Sequence, residues 1–219
     1  METWPKDAPV FTDSEMITRD QESAAWKDAR LHRITSTNVK NICTSTNYSQ
    51  TAKTILNPPD LSFNVFVNKG KQDEEKGVQY LLNELRGKGF EANAFLIGFV
   101  THSKYNWLGA SPDRLFKVND EFYLVEIKNW YVTEKQKNKK DLKYLDNSGK
   151  LRRGHSHYYQ IQTALLVSGL KRCYFVVHGS ECSIEIVEYD DIFCNTMLEK
   201  LIHFYENHFK TCIPSAIRA

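Results

Sequence analysis

The sequence predicts an α/β fold in which helices flank a mixed β-sheet. The first observation is a hairpin pattern near the middle of the chain, where two apolar strand segments flank an Asn-Asp pair. The second is a set of segments with apolar residues at helical spacing before, between and after the strands. We expect helices at residues 21–33, 47–68, 71–86, 155–169 and 190–210, and further strands at 90–100, 171–177 and 183–189.

The chain of 219 residues fits one domain of ordinary size. Hydrophobic residues make up 41% of it and aromatic residues 12%, which is enough apolar material for a core. Residues 1–19 contain two prolines and show no clear period, so we expect a loose N-terminal arm there. The remaining residues, 20–219, are expected to form a single domain.

The overall charge does not indicate a nucleic-acid-binding protein, because the formal net charge is only +2. Basic residues are instead concentrated locally, between residues 135 and 153. This segment has two interpretations. It is either a solvated loop or a surface that contacts a phosphate backbone, and we favour the second.

Five cysteines are scattered along the chain without a CxxC pair. This pattern is typical of reduced thiols rather than of a disulfide framework or a zinc site. It therefore indicates an intracellular protein, in the cytoplasm or nucleus, or in a host cell if the protein is viral. No apolar run is long enough to span a bilayer, so no membrane association is expected.

The first helix is expected at residues 21–33, with Asp20 as its N-cap. Trp26 is expected to contribute to the core. Arg30 and Arg33 lie near the C-terminus of this helix, where a cation stabilises the helix dipole. They have a second interpretation as phosphate ligands, because a guanidinium group can bind two phosphate oxygens at once.

Three hydroxyl residues, Thr35, Ser36 and Thr37, follow these arginines. Each can cap the next helix, which is the ordinary role of such a residue. Together with free helix N–H groups and the two arginines, they can also bind an anion. The segment from Arg30 to Thr37 is therefore a candidate phosphate pocket.

The helix expected at residues 71–86 follows a segment in which Pro58 and Pro59 should break a helix. Its apolar stripe consists of Val78, Leu81, Leu82 and Leu85. Glu74 lies on the same side of this helix, one turn before the stripe begins. A single Glu on a helix is usually solvated, so Glu74 becomes a site candidate only beside other acidic residues.

The hairpin predicted at residues 111–128 carries the clearest chemical signal. Its strands, 113–118 and 121–127, flank the turn at residues 119 and 120. With a two-residue turn, Asp113 lies opposite Glu126, and alternation along the strand places Lys128 on the same face as Glu126. Two opposed carboxylates repel each other unless a cation lies between them, and a hard divalent ion such as Mg²⁺ meets that need.

This hairpin also has a plain interpretation, because most Asp, Glu and Lys side chains on strands lie on a solvated face. A shift of one residue in the register would place Asp113 and Glu126 on opposite faces. The metal-site interpretation is favoured because Glu126 and Lys128 interrupt an otherwise apolar strand, where their charges need compensation. A lysine beside the ion can hold the attacking water of a hydrolysis.

Four motifs occur in a specific order along the chain. They are Trp26-x-x-x-Arg30-x-x-x-Ile34-Thr35, Gly70-x-x-x-Glu74, Ser111-Pro112-Asp113 with Glu126-Ile127-Lys128, and Gln160-Ile161-Gln162. In this order they resemble the YqaJ and bacteriophage lambda exonuclease family, a branch of the PD-(D/E)xK nucleases, over about residues 22–189. The P-D…E-x-K pattern is weak alone, but four motifs in order are a strong signal. The resemblance implies a restriction-endonuclease-like core with an N-terminal helical segment.

The resemblance also implies roles for individual residues. Two Mg²⁺ ions, or Mn²⁺ in their place, would bind to Glu74, Asp113, Glu126 and the carbonyl of Ile127. Lys128 would orient the attacking water. Arg30 and Thr37 would bind the 5′-phosphate, and Ser111 and Gln160 would line the same site. Arg33 and Thr35 are phosphate-ligand candidates from the local pattern described above.

The chain departs from the family pattern at three places. Ser36-Thr37 replaces Ala-Ser after Ile34-Thr35, His157 replaces a frequent Tyr, and Asn129-Trp130 replaces Cys-Pro. These departures affect the pocket for the DNA end more than the metal site.

By the resemblance, the chain is a Mg²⁺-dependent 5′→3′ exonuclease that acts on double-stranded DNA ends, in recombination or in viral or mobile-element DNA processing. A homotrimer and a single-strand annealing partner are suggested in the same way. Two alternatives stay open, an endonuclease on DNA or RNA with the same core, and a nucleic-acid-binding module without activity. The presence of the four motif residues Glu74, Asp113, Glu126 and Lys128 is evidence against the inactive module.

Overall fold

The computed structural model describes residues 4–58, 65–130 and 142–214. The helices in this part of the chain are α1 (Asp13–Ile17), α2 (Ala24–Arg30), α3 (Val39–Cys43), α4 (Tyr48–Leu56), α5 (Val65–Gly87), α6 (Ser156–Ser168) and α7 (Asp191–Phe204). The strands are β1 (Ile34–Thr35), β2 (Ala92–Phe95), β3 (Val100–Thr101), β4 (Leu108–Ala110), β5 (Arg114–Val118), β6 (Glu121–Asn129), β7 (Arg172–His178) and β8 (Ser183–Glu188). The predicted α/β class is confirmed.

The strands form two mixed sheets. The larger has the order β2-β5-β6-β7-β8, in which β6 and β7 are parallel and the other pairs are antiparallel. A parallel pair needs a long crossover, and α6 lies in the connection between β6 and β7. The smaller sheet has the order β1-β4-β3. Apolar clusters fill both faces of the larger sheet, one beneath α5 and the other beneath α6 and α7.

The predicted hairpin is confirmed, including its register. Val118 pairs with Glu121 across the two-residue turn, and Asn119 adopts a left-handed φ of 53° there. The pairing continues to Arg114 opposite Val125. One step further along the same register, Asp113 lies across from Glu126.

Helix α5 has the predicted apolar stripe on its buried face but begins earlier than predicted, at Val65. It packs closely on β6 at Gly77, where an added β-carbon would lie 2.6 Å from Ile127 Cγ2. The helix ends as predicted at a glycine, since Gly89 has a φ of +85° and Phe90 N–H bonds back to the carbonyl of Leu85. The glycine at position 77 therefore sets the distance between α5 and the hairpin.

The expected loose arm is wrong for the described residues 4–18. Helix α1 forms there, and the carboxylate of Glu15, only 3% exposed, accepts the N–H of Gly98 at 3.0 Å. Trp4 packs against Phe95 with ring centroids 6.1 Å apart. These contacts lie more than 80 residues away along the chain, so local periodicity could not indicate them.

The prediction of a helix at residues 21–33 is right in place but too long. Helix α2 begins at Ala24 because Ser23 is the N-cap, and Ser23 Oγ accepts the N–H of Trp26 at 3.1 Å. The Asp20 carboxylate instead accepts the N–H of Glu22 at 3.0 Å. The helix ends at Arg30, since the backbone is extended at the next residue and His32 has a φ of 58°.

The single strand expected at residues 90–100 is two strands in different sheets. β2 ends at Phe95 and β3 begins at Val100, with residues 96–99 crossing between the sheets. Gly98 belongs to this crossing, and an added β-carbon there would lie 2.1 Å from the carbonyl oxygen of Glu15. An apolar run predicts burial here but does not show which sheet receives each half.

The basic segment expected at residues 135–153 lies partly outside the described residues, which resume at 142. The described part is a compact turn, in which Leu145 and Leu151 form a bridge and both are buried. Arg152 Nε donates to the carbonyl of Leu145 at 2.6 Å, and Arg153 pairs with Asp190. The basic side chains of this part, Lys143, Lys150, Arg152 and Arg153, are exposed, so the segment is an ordered turn with a solvated basic surface.

The C-terminal half agrees closely with the prediction. His155 caps α6, and Gly169 ends it with a left-handed φ of 74°. Strands β7 and β8 follow, and Asp190 caps α7 by accepting the N–H of Phe193 at 3.0 Å. The chain continues through a π-helical turn, Tyr205–Phe209, and a short 3₁₀ turn, Lys210–Cys212. Within the described ranges, no helix is both long and apolar enough to cross a membrane.

Candidate active site

The hairpin register brings two predicted carboxylates and the predicted lysine together. Glu126 is only 2% exposed, and Lys128 Nζ donates a hydrogen bond to its Oε1. Asp113 Oδ2 accepts the backbone N–H of Ile127 at 2.6 Å. Asp113 is therefore held against β6 beside Glu126, because it bonds to the residue between Glu126 and Lys128.

Glu74 reaches this region from α5, but its carboxylate is held by a residue that the sequence did not single out. Arg114 Nη1 lies 2.6 Å from Glu74 Oε1, and Nη2 lies 3.1 Å from Glu75 Oε2. The hairpin register could have predicted this contact, because the alternation of side chains along β5 places Arg114 on the face that packs against α5. Glu74 on α5 is therefore paired with the Arg114 guanidinium from β5, and it also feels the charge of Asp113.

Burial and mutual repulsion make the carboxylates hard to ionise. Burial, then the charge of Asp113, raise the pKa of Glu126 to about 7 and that of Glu74 to about 7. Burial also raises the pKa of Asp113. Burial alone would lower the pKa of Lys128, but Glu126 and Asp113 outweigh it and the pKa rises, so the amine stays protonated.

These side chains suit a hard divalent ion in chemistry. Carboxylate and carbonyl oxygens are the ligands that Mg²⁺ and Mn²⁺ prefer, and a bound ion would relieve the repulsion that raises the carboxyl pKa values. In the described part of the chain, however, no three His, Cys, Asp or Glu side chains converge into a complete metal-binding group. That finding agrees with the ion pair between Glu74 and Arg114, because the Glu74 carboxylate is bound to a guanidinium and does not complete such a group.

Arg30 stacks on an aromatic ring and contacts Ser111, two residues before Asp113. Its guanidinium carbon lies 4.2 Å from the centroid of the Trp26 ring, and Nη1 donates to Ser111 Oγ at 3.3 Å. Trp26 Nε1 donates to the same hydroxyl at 2.9 Å. Burial lowers the pKa of Arg30 to about 10. No ion pair involves Arg30 within residues 4–58, 65–130 and 142–214, so this sheltered cation has its charge available for an anion.

Trp26 is half-buried in this arrangement and is not the core residue that the sequence indicated. Its ring supports Arg30, and its N–H orients the Ser111 hydroxyl. Ser111 precedes Asp113 by two residues, so the hydroxyl that Arg30 contacts and the Asp113 carboxylate belong to one short segment. The sequence motif contained both Trp26 and Arg30, but only the packing shows that they act together.

Other predicted phosphate ligands have different partners. Arg33 donates from Nε to the carbonyl of Asn106 at 2.9 Å and from Nη1 to that of Ala29 at 2.5 Å, so its guanidinium is used by the backbone. The hydroxyl oxygens of Thr35 and Thr37 lie 3.0 Å apart in a hydrogen bond to each other. The structure does not bring Arg33 to Ser111 as it does Arg30.

Helix α6 contributes Gln160 and an aromatic cluster that the sequence did not indicate. The ring of His157 lies 5.2 Å from that of Tyr144 and 6.3 Å from that of Phe175, which pairs with Glu126 across β6 and β7. Burial, followed by the charges of Lys128 and His155, lowers the pKa of His157 to about 2, while a hydrogen bond to Gln160 opposes this. A neutral imidazole therefore faces the lysine side of the site.

The second glutamine of that motif has a structural role. Gln162 is fully buried, its Nε2 donates to the carbonyl of Glu188 at 2.8 Å, and its Oε1 accepts the N–H of Asp190 at 2.9 Å. It therefore ties α6 to the end of β8 and the start of α7. Gln160 instead bonds to His157, whose imidazole is exposed to the charge of Lys128.

A model of the YqaJ-like viral recombinase domain matches residues 25–171, more than half of this chain. The chain belongs to this family. The matched part of the YqaJ-like domain runs from α2 through α6 and contains Arg30, Glu74, Asp113, Glu126 and Lys128. Among curated proteins, none matches the YqaJ-like domain described here.

Two solved structures share the fold of this YqaJ-like domain. The crystal structure of LHK-Exo in complex with dAMP has a TM-score of 0.61 and 20% sequence identity, and the match covers 84% of this chain and 91% of that one. The crystal structure of LHK-Exo, an alkaline exonuclease from Laribacter hongkongensis, has a TM-score of 0.60 and 19% identity over the same shares. The predicted sheet with flanking helices and its likeness to an exonuclease fold are therefore confirmed.

Proposed function

We propose that this YqaJ-like domain is a Mg²⁺-dependent nuclease that degrades double-stranded DNA from its ends in the 5′→3′ direction. The observation that carries the proposal is the buried group of Asp113, Glu126 and Lys128, held in one register by the hairpin. Family membership and the fold shared with an alkaline exonuclease support the same reaction class. The role implied is in recombination or in processing viral or mobile-element DNA.

The metal ligands follow from the donor set. Asp113, Glu126 and the carbonyl of Ile127 would hold one Mg²⁺, with Mn²⁺ as a substitute, and Glu74 would join them for a second ion. When bound, such ions polarise the phosphate and lower the pKa of a bound water. Charge supports this assignment, since burial raises the pKa of each of the three carboxyl groups despite Lys128 and Arg114, and a divalent ion would favour their ionised forms.

The protein side chains position the reactants. Lys128 stays protonated beside Glu126, so it acts as a hydrogen-bond donor to the attacking water or the phosphate and not as the base. In the hydrolysis, a bond forms between the water oxygen and phosphorus while the bond from phosphorus to the 3′ oxygen breaks. The water gives up a proton to solvent, and the leaving 3′ oxygen takes one up.

Arg30 supports the assignment of a DNA end as substrate. A half-buried guanidinium without a carboxylate partner among the described residues suits a terminal phosphate, and Ser111 and Trp26 hold it in place. A site that binds the terminal 5′-phosphate while cleaving the next phosphodiester favours removal of nucleotides from the 5′ end.

Digestion of linear and covalently closed circular DNA, with and without Mg²⁺, tests this function. We expect Mg²⁺-dependent release of nucleotides from the linear substrate only, and none from Asp113→Ala. Cleavage of the circle would favour an endonuclease on the same core. Absence of nucleotide release by both proteins on several substrates would leave only the nucleic-acid-binding module.

Assembly and cellular context are proposed on family likeness alone. We propose a homotrimer, an intracellular location and a single-strand annealing protein as partner. Light scattering on the purified chain measures the oligomer directly, and a mass close to one chain of 25.5 kDa would reject the trimer.

A further inference from the structure

Arg114 binds the carboxylate that a second metal ion would need. Its Nη1 atom lies 2.6 Å from Glu74 Oε1 and donates to the backbone carbonyl of Asp113 at 2.5 Å. Its Nη2 atom lies 3.1 Å from Glu75 Oε2. The guanidinium therefore connects α5 to the segment that carries Asp113, at the place where two of the candidate metal ligands approach each other.

The sheet register fixes the direction of this side chain. Arg114 pairs with Val125, and alternation along β5 places Arg114 on the same face as Phe116 and Val118, which pack beneath α5. The contact to Glu74 is also sheltered, since only 17% of the Arg114 side chain is exposed. A sheltered ion pair is screened less by water and salt than an ion pair on the open surface.

The protein's own cations neutralise part of the site before any metal binds. Four carboxylates, Glu74, Glu75, Asp113 and Glu126, face two cations, Lys128 and Arg114. Two negative charges are left over, which a single divalent ion neutralises. A second divalent ion must approach Glu74 against the charge of Arg114, and at such short range this repulsion is strong even with partial screening.

We propose that Arg114 occupies the second cation position, so that one divalent ion binds tightly at Asp113 and Glu126, and a second binds only by displacing Arg114 from Glu74. This inference rests on the proposed function, because it concerns the ions of the same site. Arg114 then sets the metal concentration at which the doubly loaded state forms. Substrate phosphates, which add negative charge, lower that concentration.

A Mn²⁺ titration of the full chain at pH 8 without DNA tests the proposal. Free Mn²⁺ is followed by electron paramagnetic resonance, which gives the number of bound ions and their dissociation constants. For the wild type we expect one tight ion and a second that binds at least about tenfold more weakly. In Arg114→Met, which keeps most of the side-chain volume, the second ion should bind about 10–100-fold more tightly than in the wild type.

Three further variants locate the effect. Arg172→Met is the matched control, since Arg172 also begins a strand and pairs with a glutamate, Glu121, away from the site. It should bind Mn²⁺ as the wild type does. Adding Glu74→Gln to Arg114→Met should remove the gained affinity, and Arg114→Lys, which keeps the charge, should leave the second ion weak. If melting curves show that Arg114→Met is unfolded, Arg114→Gln takes its place.

The outcomes separate this inference from the proposed function. Two ions of equal affinity in the wild type, or an unchanged or weaker second ion in Arg114→Met, overturn the role of Arg114. If the wild type still releases nucleotides with Mg²⁺ in that case, the proposed function stands. A wild type that neither binds Mn²⁺ nor releases nucleotides overturns both.

Discussion

At the scale of single residues, the site consists of charged side chains that the fold holds close enough to shift the pKa values of one another. Glu126 is nearly fully buried, and its direct protein cation is Lys128. Lys128 in turn remains protonated because the carboxylates outweigh its burial. A buried pair of this kind is weak evidence for a stabilising role, because removal of both charges from water is costly. Its presence in the hairpin is better explained by chemistry at the site.

The role of Arg30 can be separated from that of its neighbour Arg33. Arg30→Ala should slow digestion of 5′-phosphorylated ends about 10–100-fold more than digestion of 5′-hydroxyl ends, because it removes charged hydrogen bonds to the terminal phosphate. The measurement is the initial rate on two duplexes that differ only in that phosphate. Arg33→Ala is the matched control, since its guanidinium donates to backbone carbonyls, and it should affect both duplexes equally. Equal slowing by Arg30→Ala would reject the end-binding role.

His157 should lower the stability of the folded chain in acid, in opposition to the two buried glutamates of the site. Its pKa is about 2 in the folded chain, with burial as the main cause, against an ordinary value of 6.5. At His157 the unfolded chain therefore binds one more proton below pH 6.5, so the contribution of this residue to the free energy of unfolding falls there by about 1.4 kcal/mol per pH unit. In urea unfolding, His157→Phe, which retains a ring against Tyr144 and Phe175, should therefore gain stability relative to the wild type by up to about 1.4 kcal/mol per pH unit as the pH falls from 6 to 4.5. His203→Phe, at an exposed histidine, is the matched control in the same measurement.

At the scale of elements, the distance between α5 and the hairpin decides whether Glu74 reaches the other carboxylates. Gly77 lies three residues after Glu74, and its α-carbon faces Ile127, the residue whose N–H binds Asp113. The apolar stripe of α5 supplies the burial that holds the helix on the sheet. Helix position and metal site are therefore coupled through one close backbone contact.

Gly77→Ala should separate α5 from β6. The added β-carbon would lie 2.6 Å from Ile127 Cγ2, so one of the two elements must move. Overpacking of this kind destabilises by about 1–3 kcal/mol, and displacement of Glu74 should weaken Mg²⁺-dependent cleavage as well. Urea unfolding and cleavage rates measure the two effects.

Gly87→Ala provides the control on the same helix, because nothing lies within 4 Å of the added β-carbon there. It should leave cleavage unchanged and stabilise the chain slightly, by about 0.4–1 kcal/mol. If the two glycine variants behaved alike in both measurements, the close contact at Gly77 would not be what positions α5.

At the scale of the whole molecule, the carboxylate group links stability to pH and to metal. Glu74 and Glu126 have pKa values of about 7 in the folded chain against an ordinary 4.5, chiefly through burial. At these two glutamates the folded chain thus binds more protons than the unfolded chain between these values, and their contribution to metal-free stability falls as pH rises from about 4.5 to 7. The site costs the fold most stability at alkaline pH.

Mg²⁺ should therefore raise the melting temperature more at pH 8 than at pH 6. At pH 8 both glutamates must ionise without a metal, whereas at pH 6 protons already neutralise them, so the ion has less repulsion to relieve. Melting curves in 10 mM Mg²⁺ and in chelator, at the two pH values, give the comparison. Asp113→Asn should reduce the shift at pH 8, and an equal shift at both pH values would contradict this account.

The sequence by itself determined the features that depend on short-range periodicity. Alternation and the two-residue turn place Asp113, Glu126 and Lys128 on one hairpin, and helical spacing places Glu74 beside the apolar stripe of α5. Such patterns need only the local backbone geometry, because each residue is related to the next by a fixed rise and rotation. The motif order added the family, and with it the role proposed for Arg30.

Only the tertiary structure decided how separate segments meet. Arg114 lies 40 residues from Glu74 and Trp26 lies 85 residues from Ser111, yet both pairs are in hydrogen-bond contact. Contacts between distant segments also decide the division of residues 90–100 between two sheets and the packing of residues 4–18. These contacts follow from how whole faces of helices and sheets fit together, which no local periodicity of the chain specifies.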